Sequence, residues 1–292
     1  MSEFILITTC VSSKTLPTPT PLKFRNTPTS INPLGWLEQL KLSPTPNKTA
    51  LDLYKGKLWS IPQSLLESKV IEDLYIISAG YGFIHHQDYI RPYSISFRQN
   101  SFDSTLSRGF SSTEWWETLD SRKKLINFIL NNPTKKIILY GSQPYIAALT
   151  PHLKSLPDNC KNLFLFAPDV KLKALDRFLV KPPFTMRYIV GGNKITTTMK
   201  CIEYSLKNIP SNLWDISYLN EYFTSLTKNY SEKEYKKILE RKPDEFIINL
   251  ISSSNKFNKD TSYKNILYYI REQGYAIGEN RLCRLLENIF HK

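Results

Sequence analysis

The chain has 292 residues, 41% of them apolar, and carries 39 lysines and arginines against 26 acids, a formal charge of +13. That composition can hold one large α/β domain plus a smaller one and argues against intrinsic disorder. No apolar run approaches a membrane span, the N-terminal FILITT lacks a basic leader, and Cys10, Cys160, Cys201 and Cys283 lie far apart without a CxxC pair. The expectation is a cytoplasmic chain without membrane partner, signal peptide, disulfide framework or structural zinc.

A first strand is expected at Phe4–Thr9. After it, Pro17, Pro19, Pro21, Pro28, Pro33, Pro44 and Pro46 forbid regular structure over most of a long segment, with room for short helices at 36–42 and 62–68. Leu74–Ile77 is a continuous apolar run, the pattern of a strand buried on both faces. Ser78, Ala79, Gly80 and Gly82 then remove side-chain bulk at its carboxyl end, where open α/β sheets bind ligands. His85, His86, Asp88 and Tyr89 follow in what reads as one loop, and Arg91 precedes the rigid Pro92. A tight turn with a solvated loop is the structural alternative.

Further on, 114–131 has the apolar spacing of one helix, with Lys123 and Lys124 facing water. Lys136–Tyr140 reads as a strand running into GSQPYIAAL, where Pro144 starts a helix. Ser142, Gln143 and Tyr145 thereby fall beside a helix N-terminus, a favourable place for an anion, with simple helix capping as the alternative. Leu163–Phe166 and Tyr188–Val190 are further candidate strands, ended by Ala167-Pro168-Asp169 and Gly191-Gly192-Asn193. Strand and crossover helix repeated in this way predict an α/β fold with a mostly parallel central sheet flanked by helices. No GxGxxG or GxxxxGK[ST] is present, which disfavours dinucleotide and nucleoside-triphosphate binding.

From residue 211 the pattern turns helical, giving an α/β domain over 1–210 and a helical subdomain over 211–292. Lys and Glu interleave through 231–241, a polar stretch covers 252–259, and helices over 263–273 and 279–290 flank Gly274. Arg271, Arg281 and Arg284 are candidates for phosphate contact there, with an α-helical hairpin docked on the sheet domain as the alternative. Residues 1–199 carry 24 basic against 14 acidic side chains and residues 200–292 carry 15 against 12, so the basic excess sits in the first domain. Such an excess attracts a nucleic-acid backbone, with binding that weakens steeply in salt. A lysine-rich composition of purely genomic origin is the alternative.

The spacing Ser-Ala-x-Tyr-Gly followed by Asp-x-Ile-x-Pro-Tyr, carried by Ser78, Ala79, Tyr81, Gly82, Asp88, Ile90, Pro92 and Tyr93, resembles a bacterial and archaeal family. That family is related to the uracil-DNA-glycosylase-like domain of archaeosine tRNA-guanine transglycosylases. The opening LITTCVSSK of Leu6–Lys14, the Asp52-Leu53-Tyr54 element and the Tyr269–Arg284 segment resemble it too, whereas Gly80 stands where the family usually has lysine. The sequence also resembles phage-defence DNA glycosylases of the Brig type, which implies excision of glucosylated hydroxymethylcytosine from viral DNA in antiviral defence, with no cofactor and no obligate protein partner. A nucleic-acid-binding accessory of a base-modification or base-exchange system is the alternative, and a DNA-binding regulator without chemistry is a third.

Base excision passes through an oxocarbenium-like transition state and needs negative charge, a placed water and donors to the departing base. Asp88 is the first candidate carboxylate and Asp52 the competing one, with His85 or His86 as donor to the leaving base. Tyr81, Tyr89 and Tyr93 are candidate platforms for an extruded base, each with a core aromatic role as the alternative. Ser12, Ser13, Lys14, Ser78, Gly82, Arg91, Ser142, Gln143 and Tyr145 complete the expected DNA-contacting set. No metal site is expected, because adjacent histidines should point apart. Cys10 at a strand end is a second nucleophile candidate, with a buried inert thiol as the alternative.

Overall fold

A computed structural model describes residues 2–120, 123–167, 173–193, 196–230, 240–254, 257, 261 and 263–290. Eight strands occur among them: β1 (Phe4–Thr9), β2 (Lys48–Thr49), β3 (Asp73–Ser78), β4 (Gly82–His85), β5 (Tyr89–Ile90), β6 (Lys136–Tyr140), β7 (Leu163–Phe166) and β8 (Leu179–Val180). Six form the central sheet in the order β4-β3-β1-β6-β7-β8, and β2 pairs with β5 in a small antiparallel ribbon. All neighbours in the central sheet are parallel except β3 and β4.

The sheet is α/β and mostly parallel for the reason its sequence suggests. Every residue of β1 is buried, as are Ile137–Tyr140 and Leu163–Phe166, so the central strands are covered on both faces. Helices at Ser112–Leu119 and Gln143–Lys154 pack on each other, and Ser60–Glu67 lies against Thr197–Asn208. The helix expected over 114–131 is two helices, Ser112–Leu119 and Lys124–Asn131. Asp120 separates them because its carboxylate accepts from the backbone N–H of Lys124 and Leu125, capping the second helix. Tyr188–Val190 is not a strand but part of the short helix Arg187–Val190, and β8, too short for periodicity to reveal, takes the sheet edge instead.

The chain divides after Thr227, not after Pro210. Trp214 packs its ring on Phe4 at 4.6 Å and on Phe164 at 5.3 Å, and Leu219 and Phe223 of helix Ile216–Thr227 are buried in the same core. The second unit, 228–292, encloses Ile247, Ile251, Ile266, Ile270, Leu282 and neighbours between helices Asp244–Ser253, Tyr263–Glu272 and Glu279–Phe290. Residues 231–239 of the interleaved Lys/Glu stretch, Pro168-Asp169, and residues 255, 256, 258 and 259 of the polar stretch lie outside the described residues. Among the described residues no helix is long and apolar enough to cross a membrane.

Candidate functional site

The chain moves outward from β1 in one direction to β3 and in the other to β6, so the loops after β1 and β6 diverge and leave a crevice at their carboxyl ends. That topological switch point is where open α/β sheets take ligands. A cavity of about 810 Å³ lies there, lined by the loop Cys10–Lys14 after β1, by Tyr140, Ser142 and Tyr145 around the end of β6, and by Lys55–Leu58, Tyr93–Ser96, Arg98, Asn100 and Ser101. Its charged lining is Lys14, Lys55, Lys57 and Arg98; among the described residues no carboxylate lines it.

Lys14 is the centre of this site. Residues 13–15 run antiparallel to 53–55, with Thr15 N–H donating to the Leu53 carbonyl at 2.8 Å and Lys55 N–H to the Ser13 carbonyl at 3.1 Å. This pairing sets the Lys14 ammonium 4.4 Å from the Tyr93 ring centroid and 5.5 Å from that of Tyr54. Burial pushes the ammonium down to about 8, against the pull of Cys10 and Asp103. Asp103 stands behind the wall, its carboxylate taken by the Arg25 backbone N–H at 2.9 Å and the Ser94 hydroxyl at 2.6 Å.

Beneath Lys14 runs a buried row of hydroxyls. Tyr54 Oη and Tyr93 Oη are 2.7 Å apart, Tyr93 Oη and Ser78 Oγ are 2.6 Å apart, and Ser78 Oγ accepts from the N–H groups of Gly80 and Tyr81. Burial raises both phenols well above their ordinary range, so the row is neutral. On the other wall Cys10 Sγ and Tyr145 Oη meet at 3.1 Å, and burial keeps Tyr145 neutral as well. Ser142 occupies the N-cap of helix Gln143–Lys154 but makes no side-chain cap hydrogen bond; it faces the cavity.

The glycine at position 80 has a steric cause. A Cβ there would stand 2.6 Å from the Tyr93 ring, so a lysine at this position requires Tyr93 to move. The turn is otherwise sealed by two indoles, Trp36 Nε1 donating to the Gly80 carbonyl and Trp115 Nε1 to that of Ala79. Gly82, at φ +77°, then reverses the chain into β4.

That reversal carries much of the expected catalytic set away from the cavity. The stretch after Gly82 is not one loop at the carboxyl edge but a hairpin that returns along β3, pairing Ser78 with Gly82 and Tyr75 with His85. His85 and His86 therefore turn to Asp73 toward the opposite edge, with His85 paired to Tyr75 roughly 10 Å, and Asp73 roughly 17 Å, along the strand from Ser78. Asp88 caps this turn, accepting from the His85 N–H at 2.8 Å, and Asp52 accepts from the Thr49 hydroxyl at 2.7 Å; neither lines the cavity. Adjacent histidines were expected to diverge, but His86 lies beyond the end of β4, where strand alternation no longer applies, and both rings turn to Asp73.

Other expected contacts are also spent elsewhere. Tyr81 Oη accepts from the Arg91 N–H at 2.9 Å, Arg91 Nε donates to the Thr45 carbonyl, and neither Tyr81, Arg91, Gln143 nor the exposed Tyr89 lines the cavity. Tyr93 is buried with Lys14 over its face, so it is no stacking platform. In the second unit Arg281 and Arg284 both pair with Asp244, and Arg271 donates to the Ile277 carbonyl, bracing the helices. Of the residues expected to contact DNA, Ser12, Ser13, Lys14, Tyr93, Ser142 and Tyr145 line the cavity, with Ser78 directly behind. Sequence reasoning missed Lys55, Lys57, Arg98 and Tyr140; the Lys-Gly-Lys that follows Asp-Leu-Tyr was a usable signal for the first two, and nothing marked the others.

No protein-family model matches the chain, and no curated protein matches it.

Proposed function

We propose that the chain is a DNA glycosylase that draws a nucleotide out of DNA into the cavity beside Lys14 and releases its base. The observation that carries this reading is convergence: of Lys14, Tyr54, Ser78 and Tyr93, one from each short motif of the N-terminal resemblance, Lys14 and Tyr93 line the cavity at the switch point and Tyr54 and Ser78 bond to Tyr93 behind it. The four cations of its lining favour phosphate there. A volume of about 810 Å³ falls within the range of small-molecule sites, about 300–1,000 Å³, and leaves room for an extruded nucleotide with a bulky substituent.

With no lining carboxylate, the reacting group in this reading is the Lys14 amine, of which roughly a tenth is uncharged at neutral pH with a pKa of about 8. Its nitrogen forms a bond to C1′ as the bond from C1′ to the base breaks; the base leaves with the electron pair and takes the proton that the amine loses. The C1′–O4′ bond then opens, the nitrogen lone pair makes C1′=N, and O4′ takes a proton from solvent. The test is incubation with unmodified DNA and with phage DNA bearing glucosylated hydroxymethylcytosine, scoring released base by mass spectrometry and imine by borohydride trapping. The expected result is release from modified DNA with a trapped adduct, both lost in Lys14→Met.

The missing carboxylate also favours a second reading, a nucleic-acid-binding accessory without chemistry of its own. Salt-sensitive binding with no base release from either DNA supports that reading and removes the first.

A further inference from the structure

Asp73, His85 and His86 form a cluster that the cavity does not use. Their nearest nitrogen and oxygen atoms all lie within 4.8 Å of one another. Asp73 Oδ1 is 2.7 Å from His85 Nε2 and 3.4 Å from His86 Nε2, and the two imidazole centroids are 4.2 Å apart. Asp73 Oδ1 already accepts the Leu74 N–H at 2.8 Å as well as the contact from His85. His86 is left over: Nε2 stands beyond normal hydrogen-bond length from the carboxylate, and its buried Nδ1 has no partner. The Nε2 atom of this largely buried imidazole, without a well-formed hydrogen bond, calls for a water or an ion.

We propose that Asp73 Oδ1, His85 Nε2 and His86 Nε2 bind a divalent transition ion of the zinc type. Two imidazoles and one carboxylate are a donor set of that class, and tetrahedral zinc holds neighbouring ligand atoms roughly 3.3–3.4 Å apart. The separation of Asp73 from His86 already has this value, and that from His85 reaches it when the hydrogen bond opens by roughly 0.6 Å. The scaffold is stiff, since His86 N–H donates to the Leu74 carbonyl at 3.0 Å and His85 ends a paired strand. Side-chain exposures of 26%, 27% and 12% leave a fourth position open to water. The ion ties β4 to β3 at the edge opposite the cavity, and the proposal is independent of any activity at Lys14.

Untagged protein, stripped with chelator, is to be titrated with Zn²⁺ by calorimetry and with Co²⁺ by visible absorption. One ion per chain is expected, with the intense absorption of tetrahedral cobalt, both lost in His85→Ala and in His86→Ala but kept in His152→Ala. Zinc is also expected to raise the melting temperature of the wild-type protein. Imidazole NMR of the wild-type protein removes dependence on the variants' folding: zinc must shift the His85 and His86 resonances and leave those of His152. No uptake by folded wild-type protein, unmoved His85 and His86 resonances, or stoichiometric binding that survives both alanine variants overturns the proposal.

Discussion

The two ends of β3 are built from the same short stretch of sequence and are opposite in chemistry. At the carboxyl end, Ser78 and Tyr93 meet Lys14 and Tyr54 at a cavity whose charged groups are all cationic; at the amino end, Asp73 meets His85, His86 and, through the turn, Asp88. Residues seven apart, Ser78 and His85, are thus farther from each other than Lys14 and Tyr93, which are 79 apart in the chain but in ring contact. A hairpin is the cause. Density of reactive side chains in a sequence measures proximity only while the chain keeps its direction.

The largest effects should come from the carboxyl end. Tyr93→Ala removes a buried ring and strands the Tyr54 and Ser78 hydroxyls, so denaturant unfolding should show a loss of about 3–5 kcal/mol, against about 1–2 kcal/mol for Tyr93→Phe. Tyr89→Ala, at an exposed residue of the β2–β5 ribbon, should stay within about 0.5 kcal/mol. Equal losses at Tyr93 and Tyr89 would erase the contrast. Gly80→Ala should cost about 1–3 kcal/mol because its methyl group meets the Tyr93 ring, while Gly278→Ala, with nothing within 4 Å, should be nearly neutral in the same assay.

Lys14 sharpens the comparison through pH. Its folded pKa of about 8 lies below the unfolded value of 10.5, so between these values the unfolded chain binds more protons and stability rises with pH. Lys14→Met should therefore melt higher than wild type at pH 7, and this advantage should shrink as pH rises from about 8 to 10.5. Over the same range wild-type affinity for a polyanion should fall as the charge is lost. An advantage that is independent of pH would show that the buried ammonium is not the cause. The smallest effect belongs to Asp52→Asn, which alters one exposed contact to Thr49 and should change stability by less than about 1 kcal/mol, with cavity binding unchanged.

Most of the sheet was legible because buried parallel strands are continuous apolar runs: β1, β6 and β7 fall on the expected residues, and β3 extends one residue beyond its run at each end. Pro144 marked its helix for the same kind of local reason. Misread elements were those decided by tertiary contacts. Gly-Phe-Ile-His is too short to show the alternation of a strand, Arg-Tyr-Ile-Val has β propensity but forms a helical turn, and β8 has only two residues. At the site, Lys14 and Ser142 line the cavity because they follow strand ends. His85, His86 and Asp88 were misplaced because the direction of β4 was unknown, and Arg98 reaches the cavity from a segment without any periodic signal.

The cavity, and not the histidine edge, is the surface proposed to meet nucleic acid. The most direct test is the salt dependence of binding to a fluorescent oligonucleotide by wild type, by Lys14→Met with Arg98→Gln, and by Asp88→Asn with Asp73→Asn. Removing two cavity cations should weaken binding and flatten the slope of log K against log salt by about 2, while the opposite-edge pair should leave both unchanged. An unchanged slope in the cavity variant, or a changed one in the other, would contradict the account.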